Sequence, residues 1–289
     1  MNTYNIDMHI HTTDSDGFLK DYEICELALK AGIKMLAITD HNFSKDLSVL
    51  RQAYSSLKII QGSEISCIYT TSSLKEVEIH VIALGFCLDS PKIQNIFHRN
   101  RQFDRKPYIN AILDKLHLCG INLCYDDVYR CADGQNHIGR MHIATALKNN
   151  GFVSTIDEAF DKYIGSFGEK RAYVPNPFRY VKLEEAISAI IDSSGIPVLA
   201  HLNYYEQLNT YEKEELVKYF KQLAGKHAGI EVYYSRYTEY ERKKIKDLAD
   251  KYNLMYSAAS DFHGIPTDTL KNSFSNSLCP DLVKILNTK

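Results

Sequence analysis

The chain has 289 residues, 45% of them hydrophobic, and a net charge of −2 from 34 basic and 36 acidic side chains. This length fits one large domain or two ordinary ones, and the hydrophobic content excludes a disordered or fibrous protein. The nearly balanced charge provides no field for non-specific binding to duplex nucleic acid, although a local basic pocket stays compatible with it.

The sequence also argues against a membrane or secreted protein. No apolar run approaches the roughly 20 residues of a transmembrane helix, and residues 1–7 lack the basic and apolar regions of a secretion signal. The seven cysteines are scattered, odd in number and without a CxxC pair. We therefore expect a cytoplasmic protein with reduced thiols, and neither a disulfide framework nor a cysteine-bound zinc ion.

Short apolar runs alternate with helical patterns over the first ninety residues. The predicted elements are strand 4–8, helix 21–31, strand 35–39, helix 44–57, extended segment 58–61 and strand 77–84. Ile24, Leu27 and Ala28 share one face of the first helix, and Gly32 is placed to end it. This rhythm predicts a largely parallel sheet with helices outside it.

Residues 92–180 follow a different pattern, in which helices dominate. The predicted helices there are 93–118, 125–131, 139–149 and 156–163. The strand–helix rhythm then resumes with helix 183–193, strand 197–201, helix 211–224, strand 229–233, helix 239–252 and strand 255–259. We interpret 1–91 and 181–289 as one barrel, interrupted by a helical insertion over 92–180 that contributes to a substrate pocket.

Acidic and histidine residues stand at or just beyond the ends of the predicted strands. They are Asp7, His9, His11, Asp16, Asp40, His41, Glu64, His80, His201, Asp261 and His263. In a βα barrel the carboxyl ends of the strands converge on one face, where such enzymes carry their chemistry. We therefore expect these side chains to meet.

The local spacings favour metal ions. Strand alternation sends residues 7, 9 and 11 to one side, and Asp261-Phe262-His263 repeats that geometry. Imidazoles with carboxylates suit zinc, manganese or iron, and the number of groups exceeds what one ion takes. Each signal alone is weak, since Asp40 could cap a helix, Glu64 could be a loop carboxylate and His80 a core histidine. Their conjunction favours a metal cluster.

Four motifs in these residues resemble those of the PHP (polymerase and histidinol phosphatase) family. They are Asp7-Met8-His9-Ile10-His11-Thr12 with Ser15-Asp16-Gly17, Thr39-Asp40-His41, Leu199-Ala200-His201, and Ser260-Asp261-Phe262-His263-Gly264. Gly62-Ser63-Glu64 and Glu78-Ile79-His80 match the intermediate positions. The resemblance implies an α/β fold, a distorted (β/α)7 TIM-like barrel with a helical insertion, and three divalent ions per chain, either manganese, zinc or iron.

The resemblance also implies a ligand set. His9, His11, Glu64 and Asp261 would hold the first ion, and Glu64 would bridge to a second ion that His80 and His201 complete. Asp16, His41 and His263 would hold the third. Asp7 and Asp40 would orient imidazoles or relay protons.

One subgroup of the family is the closer match. The stretch Asn136-His137-Ile138-Gly139-Arg140-Met141-His142-Ile143-Ala144 resembles the Gly-Arg-Pro-His stretch of PHP phosphoesterases that act on nucleoside 3′,5′-bisphosphates and short oligoribonucleotides. Arg171-Ala172-Tyr173-Val174-Pro175 resembles the segment that follows it. Met141 and Leu202 replace the usual prolines without removing a ligand, so they bear on the substrate alone.

The expected reaction is hydrolysis of a nucleotide phosphate monoester by a hydroxide held between two ions. Arg140 and Arg171 would bind the phosphate, and Asp40 or His142 would protonate the leaving group. Arg140 could instead be a solvated or capping helix residue. Open alternatives are a histidinol-phosphate phosphatase, a metal-dependent amide hydrolase and a non-catalytic, metal-stabilised binding module. Neither duplex nucleic acid nor a membrane is an expected partner.

Overall fold

The chain forms two compact units in a computed structural model that describes residues 3–132, 138–165, 168–265, 270 and 274–289. Unit 1 comprises Met1–Thr12, Gly17–Arg101 and Tyr180–Lys289, and unit 2 comprises Thr13–Asp16 and Gln102–Arg179. Among the described residues, no helix combines the length and hydropathy needed to cross a bilayer.

Unit 1 is built on one sheet whose order is β7-β6-β5-β4-β3-β2-β1-β8. The strands are β1 Asn5–Ile10, β2 Ile33–Ile38, β3 Lys58–Thr70, β4 Glu76–Leu84, β5 Ile196–Leu199, β6 Gly229–Tyr234, β7 Met255–Ala259 and β8 Phe274–Ser275. The segment after β7 pairs with β1 in parallel through Ile10 and Phe262, so strands β1–β7 close into a barrel. The predicted α/β barrel is confirmed.

Two strands differ from their predicted form, and both carry predicted ligands. Strand β3 continues past residue 61, so Glu64 lies within it rather than after it. Strand β4 runs antiparallel to both β3 and β5, so His80 lies in the first half of its strand and not at a carboxyl end. Because β4 is reversed, its first half lies beside the distal part of β3, where Glu64 is located.

The helices follow the predicted order. They are α1 Asp21–Lys30, α2 Ser48–Ala53, α3 Pro91–Arg101, α4 Lys106–Leu118, α5 Tyr125–Cys131, α6 Arg140–Asn149, α7 Ile156–Ala159, α8 Leu183–Asp192, α9 Thr210–Ala224, α10 Glu239–Tyr252 and α11 Pro280–Leu286. The predicted helix 93–118 is wrong as a single helix, because the chain breaks between α3 and α4, where Pro107 stands in the first turn. The predicted helix 44–57 is reduced to the six residues of α2.

Side-chain caps explain where two helices of unit 1 begin. Thr238 accepts a hydrogen bond from the Glu241 amide, and the Glu241 carboxylate accepts one from the Thr238 amide. Asn209 and Glu212 repeat this reciprocal cap at the start of α9. Such pairs satisfy amide groups that the first helical turn leaves without partners.

The barrel interior is filled from several strands at once. One buried cluster joins Met35 of β2, Ile82 of β4 and Val198 of β5 with the α11 residues Leu282 and Leu286. Because strands from different parts of the sheet contribute to a single cluster, it occupies the inside of the barrel, and α11 covers one end of it.

A buried amide network joins the points where the chain leaves unit 1 and returns to it. The Asn100 side-chain amide donates to Asn42 Oδ1 at 2.8 Å and to the Ser66 carbonyl at 2.7 Å. Its oxygen accepts a hydrogen bond from the Val181 amide at 3.0 Å. One side chain therefore connects α3, the loop after β2, strand β3 and the segment before α8.

Candidate metal centre

The closing of the barrel brings two predicted ligand segments together. The His11 amide donates to the Phe262 carbonyl at 2.8 Å, and the Asp261 amide donates to the His9 carbonyl at 2.9 Å. The Nε2 atoms of His9 and His11 lie 3.0 Å apart, and Asp261 Oδ1 lies 3.4 and 3.3 Å from them. These three side chains, predicted to share one ion, therefore converge on one point.

Glu64 is the centre of the site, because imidazoles surround its buried carboxylate. Its position is fixed by its amide, which donates to the Thr39 carbonyl at 3.0 Å. Five ring nitrogens lie within 3.4 Å of its two oxygens. The distances are 3.4 Å for His9, 3.2 Å for His11, 3.0 Å for His41, 2.7 Å for His80 and 2.9 Å for His201.

Charge in the cluster is strongly coupled. Burial alone raises the pKa of Glu64, but the surrounding imidazoles hold it well below its usual range. Burial lowers the pKa of His80, and the Glu64 carboxylate beside it raises that pKa to about 10. The pKa of His9 is likewise raised well above its usual value by carboxylates that outweigh burial. These carboxylates thus favour positive charge at the place where the imidazoles meet.

Two further predicted ligands stand beside His11. Its ring centroid lies 4.6 Å from that of His41 and 4.2 Å from that of His263. Asp16 is buried in the loop after β1 and belongs to unit 2, and as a ligand it stays a prediction. That loop requires glycine at its end, because a Cβ on Gly17 would lie 2.6 Å from the His11 carbonyl oxygen.

Glu231 is a site residue that the sequence analysis missed. Its carboxylate accepts a hydrogen bond from Nδ1 of His9 at 2.8 Å and from the His201 amide at 2.6 Å. It is 1% exposed on β6. Since the carboxylate can only accept, Nδ1 of His9 carries the proton and Nε2 presents its lone pair to the cluster. The only sequence signal was a lone acidic residue in an apolar strand.

Asp7 and Asp40 hold backbone around the cluster. Asp7 Oδ1 accepts from the Ser260 amide at 3.0 Å, and burial raises the pKa of this carboxyl to about 7. Asp40 accepts from the Thr12 amide at 2.8 Å and from the Thr12 hydroxyl at 2.7 Å. Both arrangements match supporting roles, and proton donation by Asp40 stays a prediction.

Two predicted ligands adopt backbone angles that side chains rarely take. His201 has φ of 27° and Asp261 has φ of 57°. Such residues cost on the order of 1–3 kcal/mol each and persist where their surroundings hold them. Tyr234 contributes to this, because its hydroxyl donates to Asp261 Oδ2 at 2.8 Å, and Glu231 holds the His201 amide.

The predicted substrate residues lie in unit 2. Arg140 begins α6, and its guanidinium lies 5.9 Å from the ring centroid of Phe160. Arg171 forms an ion pair with Glu169. His142 is buried, and its Nδ1 accepts from the Gly139 amide at 3.0 Å, which caps α6. Their roles stay predictions, and residues 136–137 of the quoted stretch lie outside the described residues.

The chemistry of the donor set fits divalent metal ions. His9, His11 and Glu64 each offer a ligand atom within 4.8 Å of the others, and so do His41, Glu64 and His80. Two facing Nε2 atoms at 3.0 Å cannot both carry protons, whereas both can donate lone pairs to a cation. In addition, the buried Nδ1 of His201 has no hydrogen-bond partner among the described residues.

Comparison with known proteins agrees with this geometry. No family model matches the chain. The 5′-3′ exoribonuclease Rnm of Salmonella typhimurium is 30% identical over 263 residues, which span 89% of this chain and 84% of that protein. The chain belongs to the PHP family. As a PHP protein with this cluster, it is a metal-dependent phosphoesterase.

Two other relatives of this PHP protein are informative. The 3′,5′-nucleoside bisphosphate phosphatase of Chromobacterium violaceum is 28% identical over 263 residues, 90% of this chain and 87% of that protein. A solved amidohydrolase structure from the same species, with bound sulfate and no metal, has a TM-score of 0.83 at 26% identity. It covers 98% of this chain and 96% of that one. The similarity therefore extends over nearly the whole PHP chain.

Proposed function

We propose that this protein hydrolyses the 3′-phosphate of a nucleoside 3′,5′-bisphosphate such as 3′-phosphoadenosine 5′-phosphate. The observation that carries the proposal is the Glu64 carboxylate with five imidazoles within 3.4 Å, a donor set suited to several adjacent cations. The substrate class is supported by the bisphosphate phosphatase of Chromobacterium violaceum, which matches 90% of the chain.

In this proposal the cluster holds three ions. His9, His11, Glu64 and Asp261 would bind the first, and Glu64, His80 and His201 the second. His41 and His263 would bind the third, with Asp16 as a further predicted ligand. When bound, adjacent divalent ions neutralise phosphoryl oxygens and make water nucleophilic near neutral pH.

The remaining site residues hold the ligands in position. Glu231 keeps Nδ1 of His9 protonated, so its Nε2 faces the ions. Tyr234 donates to one oxygen of Asp261, which leaves Oδ1 directed at the two imidazoles of His9 and His11. A substrate phosphate would additionally need cationic side chains, and we propose Arg140 and Arg171 for this role.

A second candidate activity is removal of nucleotides from short oligoribonucleotides. It is favoured by one relative, the exoribonuclease Rnm, which is 30% identical over most of this chain. Both activities would use the same cluster, since each breaks a phosphoester bond of a nucleotide.

A substrate panel tests the proposal. The purified protein, supplied with Mn²⁺, is assayed with 3′-phosphoadenosine 5′-phosphate, a short 5′-phosphorylated RNA and histidinol phosphate. We expect phosphate release from the bisphosphate to be fastest, and preference for histidinol phosphate would contradict the proposal. The variant His9→Ala should lose more than ~100-fold in kcat/KM, because loss of a mere supporting group already costs 10–100-fold. His98→Ala, which removes an exposed histidine of α3, is the matched control.

A further inference from the structure

A group of stacked tyrosines stands beside the candidate metal centre and has no part in the ligand set. Tyr204 ends the short turn Leu202–Tyr204 that follows His201 directly. Its ring centroid lies 6.5 Å from that of the His201 ring. Tyr234 and Tyr237 complete the group, which we call the tyrosine wall.

The tyrosine wall holds Tyr204 in a defined orientation. The Tyr204 ring lies 6.3 Å from the Tyr237 ring at an interplanar angle of 16°, and 5.6 Å from the Tyr234 ring at 67°. Tyr234 and Tyr237 are themselves in contact at 4.9 Å and are 2% and 4% exposed. They therefore form a rigid backing for the third ring.

The turn that carries Tyr204 is fixed as well. The Asn203 amide donates to the Tyr237 hydroxyl at 3.3 Å, and Lys213 Nζ donates to the Asn203 carbonyl at 2.8 Å. The Tyr204 amide donates to the His201 carbonyl at 2.9 Å. Unlike the two rings behind it, Tyr204 keeps part of its surface exposed.

We propose that Tyr204 is a stacking platform for the nucleobase of the substrate. An oriented aromatic ring that is backed by buried rings and partly open to solvent can stack on a base at little cost in conformational entropy. Its place one turn after His201 puts that platform next to the groups that would bind the phosphate. This inference rests on the proposed nucleotide phosphoesterase function and makes Tyr204 a specificity-determining residue.

The test compares a substrate that has a base with one that has none. The pair is 3′-phosphoadenosine 5′-phosphate and an abasic 1,2-dideoxyribose 3,5-bisphosphate, assayed with the wild-type protein and with Tyr204→Leu, Tyr204→Phe and Tyr211→Ala. We expect Tyr204→Leu to raise KM for the adenine substrate roughly 10-fold, as loss of one base–aromatic stack does, with kcat unchanged. Its kinetics on the abasic substrate should stay as in the wild type. Tyr204→Phe keeps the ring, and Tyr211→Ala removes an exposed tyrosine of α9, so both should behave as the wild type.

Two results would overturn the inference: an unchanged KM of Tyr204→Leu for the adenine substrate, or an equal loss on both substrates. The wild type provides a check that needs no variant, because a stacking platform requires kcat/KM to be roughly 10-fold higher for the adenine substrate. Equal values there would contradict the platform and leave the proposed function intact. If the wild type hydrolyses neither bisphosphate, the proposed function itself fails.

Discussion

Glu231 shows how a residue that binds no ion can decide how well one is held. It satisfies two donors at once, the Nδ1–H of His9 and the amide of His201, and these belong to different predicted ions. It thereby fixes the tautomer of one imidazole and the backbone of the other. The candidate centre therefore depends on a carboxylate behind the ligands as well as on the ligands themselves.

Glu231→Gln tests this dependence with almost no change of volume. The amide of glutamine can accept from only one of the two donors, so the other loses its partner. We expect the affinity for Mn²⁺ or Zn²⁺, measured by competition with a chelator, to fall about 10- to 100-fold. Glu239→Gln, at an exposed position in the first turn of α10, is the control. Equal affinities in the two variants would contradict the role of Glu231.

The sequence was informative about ligands and silent about their supports. His9, His11 and Asp261 follow strand periodicity and stand near glycines and strand ends, so their convergence could be predicted. Glu231 could not be, because one acidic residue in a six-residue apolar strand has no local partner. What identifies it is the contact between β6 and β1, which are far apart in the chain.

At the scale of single elements, α11 has a structural task that its length conceals. This seven-residue helix places Leu282 and Leu286, both fully buried, in the same cluster as Met35 and Val198 of the barrel. The interior of the barrel is therefore completed by residues close to the end of the chain. A short helix with such contacts is held by packing and not by its own propensity.

Leu282→Ala measures the contribution of α11. Removing a fully buried leucine loses its transfer free energy and leaves a cavity, so we expect the free energy of unfolding to fall by about 2–5 kcal/mol. Leu118→Ala makes the same substitution where the side chain is 87% exposed, and should change stability by less than about 0.5 kcal/mol. Urea unfolding followed by circular dichroism compares the two, and equal midpoints would show that α11 does not support the barrel.

The elements were easier to predict than their directions. Helices α5 and α10 and strand β7 have the predicted bounds, because apolar periodicity and end signals agree there. The reversal of β4 was not predicted, since an apolar run reads the same in either direction. The length of β3 was missed because its distal half carries Glu64 and other polar residues that resemble a loop.

At the scale of the whole molecule, the long excursion of the chain out of the barrel begins and ends at one side chain. Asn100 lies at the end of α3 and accepts from the amide of Val181, so the two crossing points are fixed to each other. It also contacts Asn42, which follows the predicted ligand His41. The base of the excursion and the ligand loop thus share one buried network.

Asn100→Ala should therefore cost more than an ordinary surface substitution. It leaves the buried Val181 amide and Asn42 oxygen without this partner, at about 1–3 kcal/mol for each unsatisfied group. We expect the free energy of unfolding to fall by about 2–4 kcal/mol in urea titrations. Asn110→Ala, at an exposed position of α4, is the control. A difference below about 0.5 kcal/mol between the variants would contradict the role of the network.

The hydrogen bonds between His9 and Asp261 also bear on how the protein is made. A ribosome delivers the chain from its amino end, so His9 and His11 leave it some 250 residues before Asp261 and the strand that carries it. Until that last strand closes on β1, Asp261 and His263 cannot join the imidazoles that have waited for them. The free energy of ion binding then becomes available only to a finished chain, which makes metal uptake a late event in biosynthesis and a reward for completing the barrel.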